Sequence, residues 1–241
     1  MSIKFDLSKR LDAVCRLCKG GSCVADIGCD HGYTSITLIE RGVFEKALAM
    51  DVRKGPLDIA KQHVMQSGFN EKIECRLSSG FEKLVKGEAD TAVITGMGGA
   101  LIKDILSEYI DVTTSLKQLV LGPQSEIHLV RGFLRDNGFV ITGEDMVEED
   151  GKFYQLIRAE RGANLSSDKD QTCEDFYGPL LLKNKNEILK KYLEKEHTLY
   201  KDLLKGLSDK SMTDAIEKRI SEVTGLLRIN ELALNYMEED I

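Results

Sequence analysis

Between residue 22 and about residue 160, short β-rich runs alternate with stretches of helical periodicity. That alternation confines the chain to βαβ units and a largely parallel sheet. The runs are 23–27, 46–50, 72–77, 90–95 and 118–121, each bounded by glycine or charge and followed by a helical segment. Two further runs, 139–147 and 153–159, have no helix between them and are joined by Glu148-Glu149-Asp150-Gly151. A short polar link ending in glycine is a hairpin signature, so the sheet is expected to close in an antiparallel pair. The fold class is α/β, and 42% hydrophobic residues suffice for its core.

Near residue 161 the pattern changes. Residues 161–172 are polar and loop-like, and from Tyr177 the strand signals cease. Ile216, Ile220, Val223, Leu227, Asn230, Leu234 and Met237 step by four and three, a heptad seam with one polar member. Leu182, Leu189, Tyr192, Leu199 and Leu203 form a similar stripe, interrupted by Glu196. Gly206-Leu207-Ser208-Asp209 reads as the turn between the arms, with a capping box at 211–214. The expected organisation is a sheet domain over 1–160, a linker over 161–176 and a helical coiled-coil hairpin over 177–241.

Charge sets further limits. The net charge is −7, which excludes a uniformly basic nucleic-acid coat but not a local basic face. Residues 177–210 carry eight lysines against five acids, the most basic stretch of an acidic chain. It reads either as a solvated helix face or as a phosphate-contacting arm. No apolar run approaches a membrane span and the first residues lack a signal-type stretch, so a cytoplasmic protein is expected. Cys15 and Cys18 have metal-ligand spacing without a second ligand pair, and Leu7, Leu11, Val14 and Cys18 recur at helical spacing. No metal site is expected, and the six cysteines read as thiols.

The strongest local signal is Asp26-Ile-Gly28-Cys-Asp30-His31-Gly32, a strand running into a glycine-bearing turn and a helix from about Tyr33. The dinucleotide fingerprint fails because position 30 is aspartate, which repels a pyrophosphate. A ligand bearing a sulfonium and an ammonium suits these acids, so S-adenosylmethionine (SAM) is favoured over a nicotinamide dinucleotide. Asp51 ends the second strand, 23 residues after Gly28, where a carboxylate accepts ribose hydroxyls or caps a helix. Ser78-Ser79-Gly80-Phe81 follows the third strand and offers a turn with an apolar ring for adenine, or a simple capped loop. Thr95-Gly96-Met97-Gly98-Gly99 follows the fourth, and Gly122-Pro123-Gln124 the fifth. Four successive strand ends with ligand-like residues are more specific than any one.

These residues, with Leu7-Ser8-Lys9-Arg10-Leu11 and Tyr177-Gly178-Pro179-Leu180-Leu181, resemble the TrmK family of bacterial tRNA (adenine(22)-N1)-methyltransferases. The resemblance runs in order along nearly the whole chain. It departs from the family's pattern at Ser79, Thr95 and Gly122-Pro123-Gln124. It implies a class I, Rossmann-like methyltransferase sheet, a C-terminal coiled-coil domain, SAM as cofactor and tRNA as substrate. By the same resemblance Asp26, Gly28, Asp30, His31 and Gly32 wrap the methionine part of the cofactor. Asp51 holds the ribose, and Ser79, Gly80 and Phe81 lie near the adenine. Gly96, Met97 and Gly98 form the floor where donor meets base, and Arg10 pairs with the cofactor carboxylate or a phosphate.

Adenine N1 carries a free lone pair, so its methylation requires no prior deprotonation. Asp30 is the candidate for stabilising the cationic product, and His31 for a positioning donor, with Gly96 and Met97 completing the catalytic set. Lys183, Lys185, Lys190, Lys191 and Lys195 are the candidate phosphate contacts. The competing readings are a methyltransferase for a protein or small molecule and a non-catalytic SAM-binding interaction protein.

Overall fold

The computed structural model describes residues 7–162, 171–209 and 211–238 of the 241-residue chain. By its internal contacts the chain divides between Leu165 and Ser166 into two compact units. Residues 1–6 of the expected sheet domain, 163–170 of the expected linker, and 210 and 239–241 of the expected hairpin lie outside the described residues.

The first unit opens with α1 (Lys9–Leu17) and β1 (Gly21–Ile27). Then follow α2 (Tyr33–Glu40), β2 (Phe44–Asp51), α3 (Lys54–Ser67), β3 (Ile73–Leu77) and β4 (Thr91–Thr95). α4 (Gly99–Glu108), the short α5 (Ile110–Thr113), β5 (Gln118–Gly122) and α6 (Ile127–Asp136) lead to β6 (Phe139–Glu149) and β7 (Lys152–Arg161). The strands form one sheet in the order β3-β2-β1-β4-β5-β7-β6. β1 to β5 are parallel, whereas β7 runs antiparallel to both β5 and β6. Every expected strand is present, and its bounds differ by at most two residues at either end.

Both faces of the sheet are buried, as expected of parallel strands with helical crossovers. Ala25, Ile27, Ala92, Ile94, Leu119 and Leu121 face one side and pack with Ile102 and Leu106 of α4 and Val130 and Leu134 of α6. The alternate residues Val24, Ala47, Ala49, Val93 and Val120 face the other, against Ala13 and Val14 of α1, Ile36 of α2 and Leu57 of α3. The strand order reverses between β1 and β4, opening a crevice at their carboxyl ends. Cys15 and Cys18 sit on the buried side of α1, where burial pushes the Cys15 thiol up to about 12 and the Cys18 thiol higher still.

The second unit comprises α7 (Gln171–Tyr177), α8 (Pro179–Lys183), α9 (Glu187–Ser208) and α10 (Asp214–Glu238). α9 and α10 pack on one another as a helical hairpin, with Asn230 donating to the Leu193 carbonyl across it. Three expectations are corrected here. Gln171–Tyr177 is helix rather than linker. α9 continues through Gly206 and Leu207 to Ser208, so the turn is shorter than expected. α10 is capped by Thr213, whose hydroxyl accepts from the Ile216 N–H, rather than by Ser211.

The seam of α10 follows the heptad, with Val223, Asn230 and Met237 buried. That of α9 follows it only at its start: Leu189 is buried and Tyr192 half-buried, whereas Leu199 and Leu203 are exposed and Leu193 is buried. Leu182 lies on α8, a separate helix. The phase is set by Glu196, whose carboxylate accepts from Tyr177 (2.6 Å), Tyr192 (2.8 Å) and Asn230 (3.3 Å). Among the described residues no helix is long and apolar enough to cross a membrane.

Candidate active site

A cleft of about 440 Å³ lies at the carboxyl ends of β1, β2, β3, β4 and β5. That volume is within the range of small-ligand sites. The turn after β1 forms its base. The Gly28 and Cys29 N–H groups both donate to the Met50 carbonyl, at 2.8 and 3.0 Å, which folds the chain back over β2. Gly28 has φ +72° and a Cβ there would lie 2.4 Å from the Met97 Cε, so the turn and the Met97 side chain share a space only glycine leaves.

Asp26, at 3% exposure, is buried on β1 and accepts from the Ser35 hydroxyl at 2.8 Å. Burial, with the Asp51 charge nearby, lifts its carboxyl to about 6 against the pull of the Ser35 hydrogen bonds. Asp51, also 3% exposed, accepts the Asp30 N–H at 3.1 Å and the Arg53 N–H at 2.8 Å. An ionised carboxylate has about four lone-pair sites, so two remain for a ligand. Asp30 has a left-handed φ of +50° and an exposed carboxylate, 3.7 Å from the His31 Nε2 and 3.6 Å from the Arg53 guanidinium.

Arg10 enters the cleft from α1. Its guanidinium carbon sits 5.1 Å from the centre of the Tyr154 ring, and its Nη1 is buried without a hydrogen-bond partner. Arg10 lines the cleft, and buried polar groups are paired in the great majority of cases, so its unpaired nitrogen is a donor available to an anion bound there.

Arg10, Asp26, Gly28, Asp30, His31, Asp51, Ser79, Gly80, Gly96 and Met97 all line this one cleft. Gly32, Phe81 and Gly98 do not. Gly32 caps α2, and its open side faces Ala60 of α3, where a Cβ would meet the Ala60 Cβ at 3.2 Å. Phe81 is fully buried, edge-on to Tyr109 at 6.5 Å, so it supports the cleft from within the core and offers no face to an adenine. Gly98 caps α4 and faces Ser125.

The apolar wall comes instead from Val52, Leu101 and Ile105. Val52 and Leu101 are 64% and 52% exposed, a state that large aliphatic side chains tolerate at a ligand mouth. The sequence signal for them was position, one residue beyond Asp51 and two beyond Gly99. Tyr33 also lines the cleft, its ring stacked on His63 at 5.1 Å.

The family model for TrmK, tRNA (adenine(22)-N(1))-methyltransferase, matches residues 24–227. The chain belongs to the TrmK family. The curated TrmK-family tRNA (adenine(22)-N(1))-methyltransferase of Bacillus subtilis is 33% identical over 232 residues, covering 92% of this chain and 94% of that protein. The crystal structure of the B. subtilis M1A22 tRNA methyltransferase TrmK superposes with a TM-score of 0.86 at 30% identity, over 96% of this chain and all of that one. Streptococcus pneumoniae Sp1610, solved in complex with S-adenosyl-L-methionine, superposes with a TM-score of 0.83 at 29% identity, over 95% of this chain and all of that one. The TrmK-family likeness therefore spans both units.

Proposed function

We propose that this chain is a SAM-dependent tRNA methyltransferase that transfers a methyl group to N1 of adenine 22. The observation that carries the reading is the cleft itself, in a TrmK-family chain. Acids sit on its β1 and β2 sides, and Arg10, with its orphaned nitrogen, lines it from α1. SAM has matching parts: a cationic sulfonium and ammonium, a carboxylate, a ribose diol and an apolar adenine. When bound, it supplies an electrophilic methyl group. In this reading Asp51 takes the ribose hydroxyls, and Val52, Leu101, Ile105 and the Ser79-Gly80 turn take the adenine. Asp26, Gly28, Asp30 and His31 surround the methionine part, with Arg10 on its carboxylate.

N1 of adenine attacks with its own lone pair, so the protein needs no base to start the reaction. What remains is alignment and exclusion of water, contributed by the Gly96-Met97 turn and the Gly28 backbone beneath Met97. As attack proceeds the positive charge passes to the adenine ring, and in this reading the Asp30 carboxylate stabilises it. A paired or stacked adenine must first be extruded, at a cost of a few kcal/mol offset by contacts elsewhere on the tRNA.

The basic face of the helical unit is the proposed source of those contacts. Lys183, Lys190, Lys191 and Lys195 are exposed, and Lys185 is half-buried in the α8–α9 link. At 100° per residue, Lys190, Lys191 and Lys195 fall within an arc of about 140° on α9. Changing these three to glutamate is expected to weaken tRNA binding at least about tenfold and to flatten its salt dependence. SAM affinity should stay as in the wild type. Unchanged tRNA affinity removes the helical arm from substrate binding.

Asp26 makes the cofactor step pH-dependent. Its folded carboxyl, lifted to about 6, keeps its proton between pH 4 and 6, where the unfolded chain has released one. Stability therefore falls as pH rises through that window, by about 3 kcal/mol, and levels off above it. A cationic ligand prefers the ionised form, so SAM affinity should fall as pH drops below about 6. Calorimetry at pH 5 and pH 7.5 checks this, and Asp26→Asn should lose the dependence. A pH-independent wild-type affinity excludes Asp26 from contact with the cation.

The reaction is tested with methyl-labelled SAM and unmodified tRNA, followed by nucleoside digestion. Label is expected in N1-methyladenosine and is expected to vanish when adenine 22 is replaced. A protein that binds SAM but labels no tRNA nucleoside would refute the reading.

A further inference from the structure

We propose that Tyr154, on the terminal hairpin, is a positioning residue that holds the Arg10 guanidinium in place for the carboxylate of the cofactor; this rests on reading the cleft as a SAM site. Arginine is long and flexible, and Arg10 is only the second residue of α1. The hairpin fixes its direction from 144 positions away. Tyr154 lies under the guanidinium at cation–π distance, 5.1 Å from centroid to Cζ. Gly96 lies close by as well: a Cβ there would approach Nη1 at 3.8 Å. The guanidinium thus meets both an aromatic face and a backbone turn, with Nη1 buried and unpaired.

The same strands also fix the helix that carries it. Tyr154, Leu156 and Arg158 alternate along β7 and share one face. Leu156 packs in the cluster that contains Ala13 and Val14 of α1. Arg158 donates to the Leu17 carbonyl at 3.2 Å, satisfying an orphan acceptor at the C-terminal end of α1. At the other end Glu149 of β6 accepts the Lys9 N–H at 2.6 Å, and the Ser8 hydroxyl accepts from Leu11 at 3.3 Å. Both ends of α1 are held by the β6–β7 hairpin, and Tyr154 acts at Arg10, a residue that lines the cleft. The hairpin, with no ligand residue of its own, thereby takes part in cofactor recognition.

An unpaired cation of this kind serves either the cofactor carboxylate or a tRNA phosphate, and the geometry favours the first. Nη1 is buried beside the β4 turn, on an arginine that lines the same cleft as Asp26 and Asp51, whereas a phosphate contact would be accessible from outside.

The test is the preference for SAM over decarboxylated SAM, measured as the ratio of their dissociation constants by calorimetry. The wild type should prefer SAM by about thirtyfold, the effect of one buried charge-assisted contact. Arg10→Ala should erase the preference, and Tyr154→Leu should cut it to about fivefold or less while leaving affinity for the decarboxylated analogue within about twofold. Tyr154→Phe, which keeps the aromatic face, should restore it. Tyr154→Leu added to Arg10→Ala should change nothing more. Equal weakening of both ligands by Tyr154→Leu, or an unchanged preference, overturns the proposal. So does an Arg10→Ala variant that loses tRNA affinity but keeps the preference, which would make the partner a phosphate. A wild type that binds neither ligand refutes the SAM reading itself.

Discussion

Asp51→Ala is expected to raise the dissociation constant for SAM by two to three orders of magnitude, about 3–4 kcal/mol, while the protein still folds. The argument starts from what the carboxylate does without ligand. It is 3% exposed at the end of β2 and accepts the backbone N–H groups of Asp30 and Arg53. Those bonds hold the turn after β1 against the start of α3. They also orient the remaining lone pairs toward the cleft, where each ribose hydroxyl would add a charge-assisted bond of about 1.5–3 kcal/mol. Asp51→Asn keeps the shape but offers one acceptor oxygen, and its loss should be intermediate. Calorimetric titration with SAM, beside a melting curve for each variant, is the measurement. A folded Asp51→Ala protein with less than about a tenfold loss places the ribose elsewhere.

The two aspects of this site were unequally visible in the sequence. Strand ends were legible because β4, Thr-Ala-Val-Ile-Thr, and its neighbours are short apolar runs stopped by glycine, and ligand residues in such a sheet collect at those stops. The hairpin was legible because no helix separates its two strands. What such patterns do not carry is the direction of a side chain. Phe81 stands in the right loop, but the left-handed Gly80 ahead of it, φ +51°, turns the chain so that the ring enters the core against Tyr109. Val52 and Leu101 look like ordinary core aliphatics until the backbone shows them exposed at the cleft.

Long-range contacts were hidden for the same reason. The Arg10–Tyr154 pair joins the first helix to the last strand, and no local spacing encodes it. In α9 two stripes one residue apart fit the apolar pattern almost equally. The choice was made by polar groups: Glu196 draws Tyr177, Tyr192 and Asn230 to itself and so turns Leu193 inward and Leu199 outward. Hydrophobic periodicity locates a helix face to within about one residue's rotation, 100°, and hydrogen-bond geometry settles the rest.

Gly99→Ala should be the most damaging single-methyl change in the sheet unit. Gly99 opens α4, has no left-handed φ, and looks replaceable on propensity alone. A Cβ there would lie 2.4 Å from the Glu126 carbonyl oxygen and 2.5 Å from that of Ser125. Both are backbone atoms, so no side chain can swing aside. The Gly99 N–H donates to the same Ser125 carbonyl at 2.8 Å, and Gln124 donates to Met97 at 2.9 Å, so the loops after β4 and β5 are joined backbone to backbone.

Forcing them apart should cost about 3 kcal/mol, the upper part of the overpacking range. For a chain of this size that lowers the melting temperature by about 6–12 °C. The same displacement moves Met97 and Gln124, which both line the cleft. A shift of about 1 Å there should lower kcat by about a hundredfold even at temperatures where the variant is folded. Gly98→Ala is the control: its Cβ would meet only the end of the Ser125 side chain, at 3.0 Å, which can rotate away. Melting curves and single-turnover rates for the pair separate the two effects. If Gly99→Ala melts and turns over like Gly98→Ala, the joined loops are not what aligns the site.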